Sequence, residues 1–202
     1  MPKVTTFYLH ARRQQILDAA VACFARRGFH ESTMLDICKE AELSPGAIYR
    51  YFASKDAIIE ASCSDAQKTI SGLFESIDPG GTALNNIEKL IDRFFGALTE
   101  PTALTNTRFA IQLWAEALRS PRIATIILPV ISSFRSGIES IVNQGKQQGS
   151  INPNSDATGF ARLLQAAYEG IRLQGAIDPV VNLRAYVSTL KHVCRRYLLT
   201  AQ

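Results

Sequence analysis

The chain has 202 residues, of which 47% are apolar and 20% charged. That balance excludes disordered and collagen-like polymers and leaves one medium domain, or a small domain beside a larger one. The formal charge of +4 is too small to point to a polyanion by itself, but it is uneven. Before Gly28, Lys3, Arg12, Arg13, Arg26 and Arg27 face only Asp18, so either a phosphate backbone meets a favourable field there or a helix simply presents a solvated face. Cys23, Cys38, Cys63 and Cys194 form no close pair and have no histidine at ligand spacing, so neither a metal nor a cofactor is expected. No secretory signal and no uncharged apolar run of about 18 residues is present. The expectation is a cytoplasmic protein with reduced thiols and no membrane partner.

In chain order, Ile16, Ala19, Ala20, Cys23 and Phe24 recur at helical spacing and predict an amphipathic helix from Leu9 to Arg27, stopped by Gly28. Thr33 followed by Asp36 predicts a capping box opening a second helix, with Ile37, Cys38 and Ala41 inward. Ser44 and Pro45 open a third helix of barely two turns, since proline at the first helical position loses no useful donor. Ser54 caps a fourth. Beyond the breaker Asp78-Pro79-Gly80-Gly81, helices follow on Leu84 to Leu98 and on Ala103 to Arg119, the latter with Phe109, Leu113, Trp114 and Ala117 inward. Ser120-Pro121 starts another, in which Pro129 predicts a kink or break between Thr125 and Leu128. Two last helices carry Phe160 to Ile171 and Leu183 to Tyr197. No segment alternates with period two for long enough to form a strand, so the fold class is all-α.

Three short helices with a tight middle turn form a helix-turn-helix unit. In such a unit the second helix of the pair enters the major groove, so the residues near its start must be small or able to hydrogen-bond. Pro45, Gly46 and Ala47 let the backbone come close, and Tyr49 and Arg50 can reach bases or phosphates. Arg50 can bridge guanine O6 and N7, a contact that discriminates by about 1–3 kcal/mol. Tyr51, Lys55 and Thr33 can hold phosphates. On residues alone an alternative stays open, with Tyr49, Tyr51 and Phe52 as core aromatics and Lys55 as a solvated cation.

The continuous order RRQQILDAAVACFARRGFHESTMLDICKEAELSPGAIYRYFASKDAIIEA, from Arg12 to Ala61, resembles the DNA-binding domain of the tetracycline-repressor (TetR) family. The resemblance implies an N-terminal three-helix DNA-binding domain over 1–60 and a larger helical effector-binding and dimerisation domain over 61–202. It places Thr33, Ser44, Pro45, Gly46, Ala47, Tyr49, Arg50, Tyr51 and Lys55 at double-stranded operator DNA. The implied function is a repressor released from a pseudo-palindromic operator by a small hydrophobic or amphipathic effector. One departure is Glu42, in the turn where the family commonly has glycine; a non-glycine residue in a left-handed conformation costs about 1 kcal/mol or more.

For a homodimer, the broad stripes of the last two helices supply Phe160, Leu163, Leu164, Ala167, Ile171, Tyr186, Leu190 and Tyr197, interspersed with small residues, as a four-helix interface requires. For the effector, the family layout points to Phe94, Phe95, Phe109, Trp114, Glu116, Phe134 and Tyr168; on its residue type alone each of these reads first as core packing. Three other functions compete. An enzyme lacks any nucleophile-base constellation. A thiol-based redox-sensing regulator would use Cys23 and Cys38. An effector-free DNA-binding protein would lack sequence preference.

Overall fold

The apolar periodicities resolve into helices throughout. The computed structural model describes residues 6–78, 80–178 and 180–199; Lys3 and Pro79 lie outside them. The helices are α1 (Thr6–Glu31), α2 (Met34–Glu40), α3 (Pro45–Tyr49), α4 (Lys55–Glu75), α5 (Ala83–Gly96), α6 (Ala103–Ala117), α7 (Pro121–Gln147), α8 (Ala157–Ile177) and α9 (Leu183–Leu199), with a 3-10 turn at Ala97–Thr99. No strand occurs among the described residues.

Two compact units emerge, Met1–Ala66 with Thr105–Leu128, and Gln67–Leu104 with Pro129–Gln202. In the first, Ile16, Phe24, Ile37, Ile48, Ile58 and Ile59 are almost wholly buried, one apolar face from each of α1 to α4. Removing such side chains from water stabilises by about 1.5–3 kcal/mol each. Phe109 of α6 stacks on Phe24, centroids 5.9 Å apart. In the second unit Ile87, Leu90, Ile91, Ile138, Val142, Ala161, Leu164 and Leu198 form the core.

One sequence expectation holds and two need correction. α1 does break at Gly28, whose backbone leaves the helical region (φ 79°, ψ 171°), but helical residues continue to Glu31. Pro129 does not break its helix: α7 runs through it. Proline has no N–H to donate to Thr125 O, and nearby hydroxyls turn back onto the backbone, Thr125 to Pro121 O and Ser133 to Pro129 O, both at 2.9 Å. Trp114 is not inward but 38% exposed. The buried stripe of α6 is Thr107, Leu113 and Glu116; Glu116 takes an inward position because His30 Nε2 meets its carboxylate at 2.7 Å, and Trp114 lies a hundred-degree step round from Leu113.

α7 is long and apolar enough, by length and composition, to cross a membrane. Phe134, Ile138, Ile141 and Val142 on that helix are buried in the core of the second unit.

Candidate functional site

The pair α2–α3 is set by its caps. Thr33 opens α2 as expected: its hydroxyl accepts from Asp36 N at 3.1 Å, and the Asp36 carboxylate takes Thr33 N–H at 2.9 Å and the Thr33 hydroxyl at 2.7 Å. Both Thr33 donors proposed for phosphate are therefore engaged within the box. These bonds, with Arg27 at 2.8 Å, hold the Asp36 carboxyl below the usual range.

α2 ends in a Schellman turn. Leu43 N–H donates to Cys38 O (3.0 Å) and Glu42 N–H to Lys39 O (3.2 Å). Glu42 sits at the left-handed position with φ 53°, the one non-glycine residue of positive φ among those described, and it takes the place where glycine avoids the Cβ penalty. Gln15 Nε2 pins the turn by donating to Ala41 O at 2.7 Å.

α3 begins at Pro45, with Ser44 Oγ accepting from Ala47 N at 3.3 Å. Ile48 and Phe52 anchor it, 0% and 6% exposed. Ser44, Pro45, Gly46, Tyr49 and Arg50 are exposed, and Ala47 and Tyr51 half-buried. A Cβ added to Gly46 would meet nothing within 4 Å. The core aromatic of this stretch is Phe52, whereas Tyr49 is 53% exposed.

Lys55 opens α4 after Ser54, whose hydroxyl accepts from Ala57 N at 3.2 Å. The Lys55 ammonium donates to Phe29 O and Ser32 O, both at 2.8 Å, and lies 4.6 Å from the centre of the Phe29 ring. Of its three donors, one remains for any other partner.

The surplus of positive charge in α1 is largely answered by residues distant in sequence. Arg13 pairs with Asp65 at 2.5 Å, Arg26 with Glu40, and Arg27 with Asp36. Arg12 meets Gln15 and Tyr8 instead of a carboxylate. Arg50 enters none of the ion pairs found among the described residues.

The expected effector residues separate into two groups. Phe94, Phe95, Phe134 and Tyr168 gather in the second unit as one aromatic cluster, with Phe94–Phe134 centroids at 4.9 Å and Phe95–Tyr168 at 5.4 Å. Phe74, which sequence reasoning missed, joins it against Phe94 and Phe134 at 6.3 and 6.2 Å. Phe109, Trp114 and Glu116 belong to the first unit instead. Beside Phe74 a cleft of about 410 Å³ opens between α4 and α7, lined by Gln67, Ser71, Phe74, Pro129, Ser132, Ser133, Ser136 and Gly137. The signal was present in the sequence, since 67, 71 and 74 share one helix face, as do 129, 132, 133 and 136.

The expected dimer residues also divide. Phe160, Leu164 and Ile171 are 4%, 3% and 2% exposed within the single chain, so they belong to the core of the second unit rather than to a partner surface. Phe160 stacks on the half-buried Tyr197 at 5.7 Å. Leu163 and Tyr186 are exposed, Ala167 and Leu190 half-buried.

The fold and this N-terminal unit define a helix-turn-helix transcriptional regulator. Residues 16–62 match the family model described as bacterial regulatory proteins, tetR family, and residues 86–200 match that of the BetI-type transcriptional repressor, C-terminal. The HTH-type transcriptional regulator BetI 2 of Chromohalobacter salexigens is 30% identical over 99% of this chain and 93% of its own. The HTH-type transcriptional regulator UidR of Escherichia coli K12 is 26% identical over 75% of each chain. Among solved structures, Salmonella enterica GusR aligns with a TM-score of 0.79 at 27% identity, covering 97% of this chain and 98% of that one. The chain belongs to the TetR family of DNA-binding transcriptional regulators, with a C-terminal part of BetI type.

Proposed function

We propose that the chain acts in the cytoplasm as a homodimeric repressor, not as an enzyme, with residues 1–60 binding a pseudo-palindromic operator and residues 61–202 serving effector binding and dimerisation. The observation that carries the DNA contact is the exposed set Ser44, Pro45, Gly46, Tyr49 and Arg50, where Gly46 has open space outside it and the Arg50 guanidinium is unclaimed. Tyr49 and Arg50 read bases there. Ser44, Pro45 and Ala47 border the phosphates, with Tyr51 and the third donor of Lys55; Thr33, whose donors serve the capping box, shapes the start of α2 beside them.

The dimer face we propose is the outer stripe of α8 and α9, namely Leu163, Ala167, Gly170 and Ile177 with Tyr186, Leu190 and Val193. Leu163, Ile177, Tyr186 and Val193 are exposed apolar side chains, and a Cβ on Gly170 would meet nothing within 4 Å, so a partner helix has room to approach. Tyr186 donates to Gln174 at 3.0 Å and ties the two helices into one surface. A two-fold dimer sets its recognition helices about 34–36 Å apart, one turn of DNA. Footprinting is expected to protect two half-sites at that spacing, and Leu163→Glu to give a monomer by analytical ultracentrifugation that protects neither. A wild-type monomer protecting a single asymmetric site contradicts the dimer.

Effector release works as a population shift: a ligand that binds one conformation of the dimer better than the operator-bound one lowers its affinity for DNA. The effector region lies at the aromatic cluster Phe94, Phe95, Phe134 and Tyr168, bordered by Phe74. A thiol-based switch is disfavoured by burial of all four cysteines. Desolvation is the largest cause raising the Cys23 thiol, and it pushes Cys63 and Cys194 up to about 11, so the reactive thiolate is scarce. Native protein at pH 7.5 is expected to leave its thiols unmodified by a disulfide reagent over minutes, all reacting after denaturation. Rapid native reaction at Cys23 or Cys38 would restore the redox alternative.

A further inference from the structure

The cleft between α4 and α7 differs in chemistry from two other clefts among the described residues. A second in the same unit carries Asp92, Arg184 and Lys191, and a groove in the first unit carries Arg26 and Arg108. The α4–α7 cleft is lined by no charged side chain. It presents Gln67, Ser71, Ser132, Ser133 and Ser136 on its polar side and the ring of Phe74 on its apolar side. Gln67 Nε2 donates to Ser133 Oγ at 3.1 Å, and Ser133 in turn donates to Pro129 O at 2.9 Å. The hydroxyls of Ser71, Ser132 and Ser136 make no hydrogen bond within the described chain. Each can donate and accept.

The apolar wall is built, not incidental. A Cβ at Gly137 would lie 2.5 Å from the Phe74 ring, so only glycine there lets the ring rest on α7, and Phe94 and Phe134 hold it from behind.

From this lining we propose that the cleft takes an uncharged polyhydroxylated ring, a sugar or glycoside, whose hydroxyls pair with the serines and Gln67 and whose C–H face lies on Phe74. The proposal rests on the effector-responsive function above and gives its site and ligand chemistry. An acyl chain would desolvate those hydroxyls without pairing them. An organic cation finds no carboxylate in the lining, and an anion finds no ammonium or guanidinium. The volume, about 410 Å³, falls in the range of small-ligand sites. An aryl glycoside fits both faces and is itself amphipathic.

Isothermal titration calorimetry of the full-length protein tests this with methyl and phenyl glycosides of the common hexoses and pentoses, alongside glucuronate, choline and decanoate. At least one neutral glycoside is expected to bind, and Ser132→Ala/Ser136→Ala to weaken it tenfold or more. Ser71→Ala, on the opposite helix, is expected to weaken it as well. Alanine favours helix at these positions, so circular dichroism should show all variants folded. Binding of no neutral glycoside, or binding indifferent to both serine variants, overturns the proposal. Operator binding by the sugar-free protein is read in a separate titration. Its failure removes the regulator function and leaves the calorimetric site standing, whereas operator binding with no glycoside bound removes the site and leaves the regulator.

Discussion

Lys55→Met is expected to lower the unfolding free energy by about 2–4 kcal/mol, because hydrogen bonds to a charged group are worth roughly 1.5–3 kcal/mol each and the ammonium makes two of them, to Phe29 O and Ser32 O. Those carbonyls lie at the end of α1 and just beyond it, and Lys55 is the first residue of α4. The side chain therefore binds the entry of α4 to the α1–α2 junction, and recognition helix α3 lies between them in sequence. Methionine keeps the stem and loses every donor. Urea denaturation reads the stability, and operator titrations across a salt series separate two roles. A residue that positions the fold lowers affinity and leaves the slope of log K against log salt unchanged. A lysine acting mainly as a phosphate anchor leaves stability intact and reduces that slope by about one unit. The two carbonyl bonds predict the first pattern, and the second would show that the remaining donor dominates.

Gly46→Ala is expected to leave the melting temperature unchanged or slightly raised while operator affinity falls tenfold or more, about 1.4 kcal/mol. Its space is empty within 4 Å and its backbone is not in the positive-φ region, so the fold does not require glycine. Alanine in place of glycine inside a helix stabilises by up to about 1 kcal/mol. A methyl group there is excluded only if something outside the chain must come close, as the edge of a DNA groove does. An affinity equal to wild type would mean that this end of α3 does not face the groove.

The helix starts were legible in the sequence because capping is local. Thr33 with Asp36, Ser44 with Pro45, and Ser54 find their partners within three residues. Glu42 was legible through the family's glycine, and its φ of 53° agrees with that expectation. What failed was non-local. The arginines of α1 looked unopposed because Glu40 and Asp65 come from α2 and α4. Phe160, Leu164 and Ile171 were placed on a partner because an apolar stripe does not reveal whether it meets its own core or a second chain; only burial within one chain separates them from Leu163. The serine-lined cleft was passed over because aromatic residues dominate hydropathy patterns. A set of hydroxyls becomes a site only when α4 and α7 bring two faces together.

The measurement that tests the central claim most directly is fluorescence anisotropy of a labelled DNA fragment from upstream of the gene encoding this protein, titrated with wild type and with Tyr49→Ala/Arg50→Ala at several salt concentrations. Wild type is expected to bind tightly, with an affinity that weakens steeply with salt, resists competition by unrelated DNA, and is lost in the folded double variant. Equal binding by the double variant would contradict the assignment of α3 as the element that reads the operator.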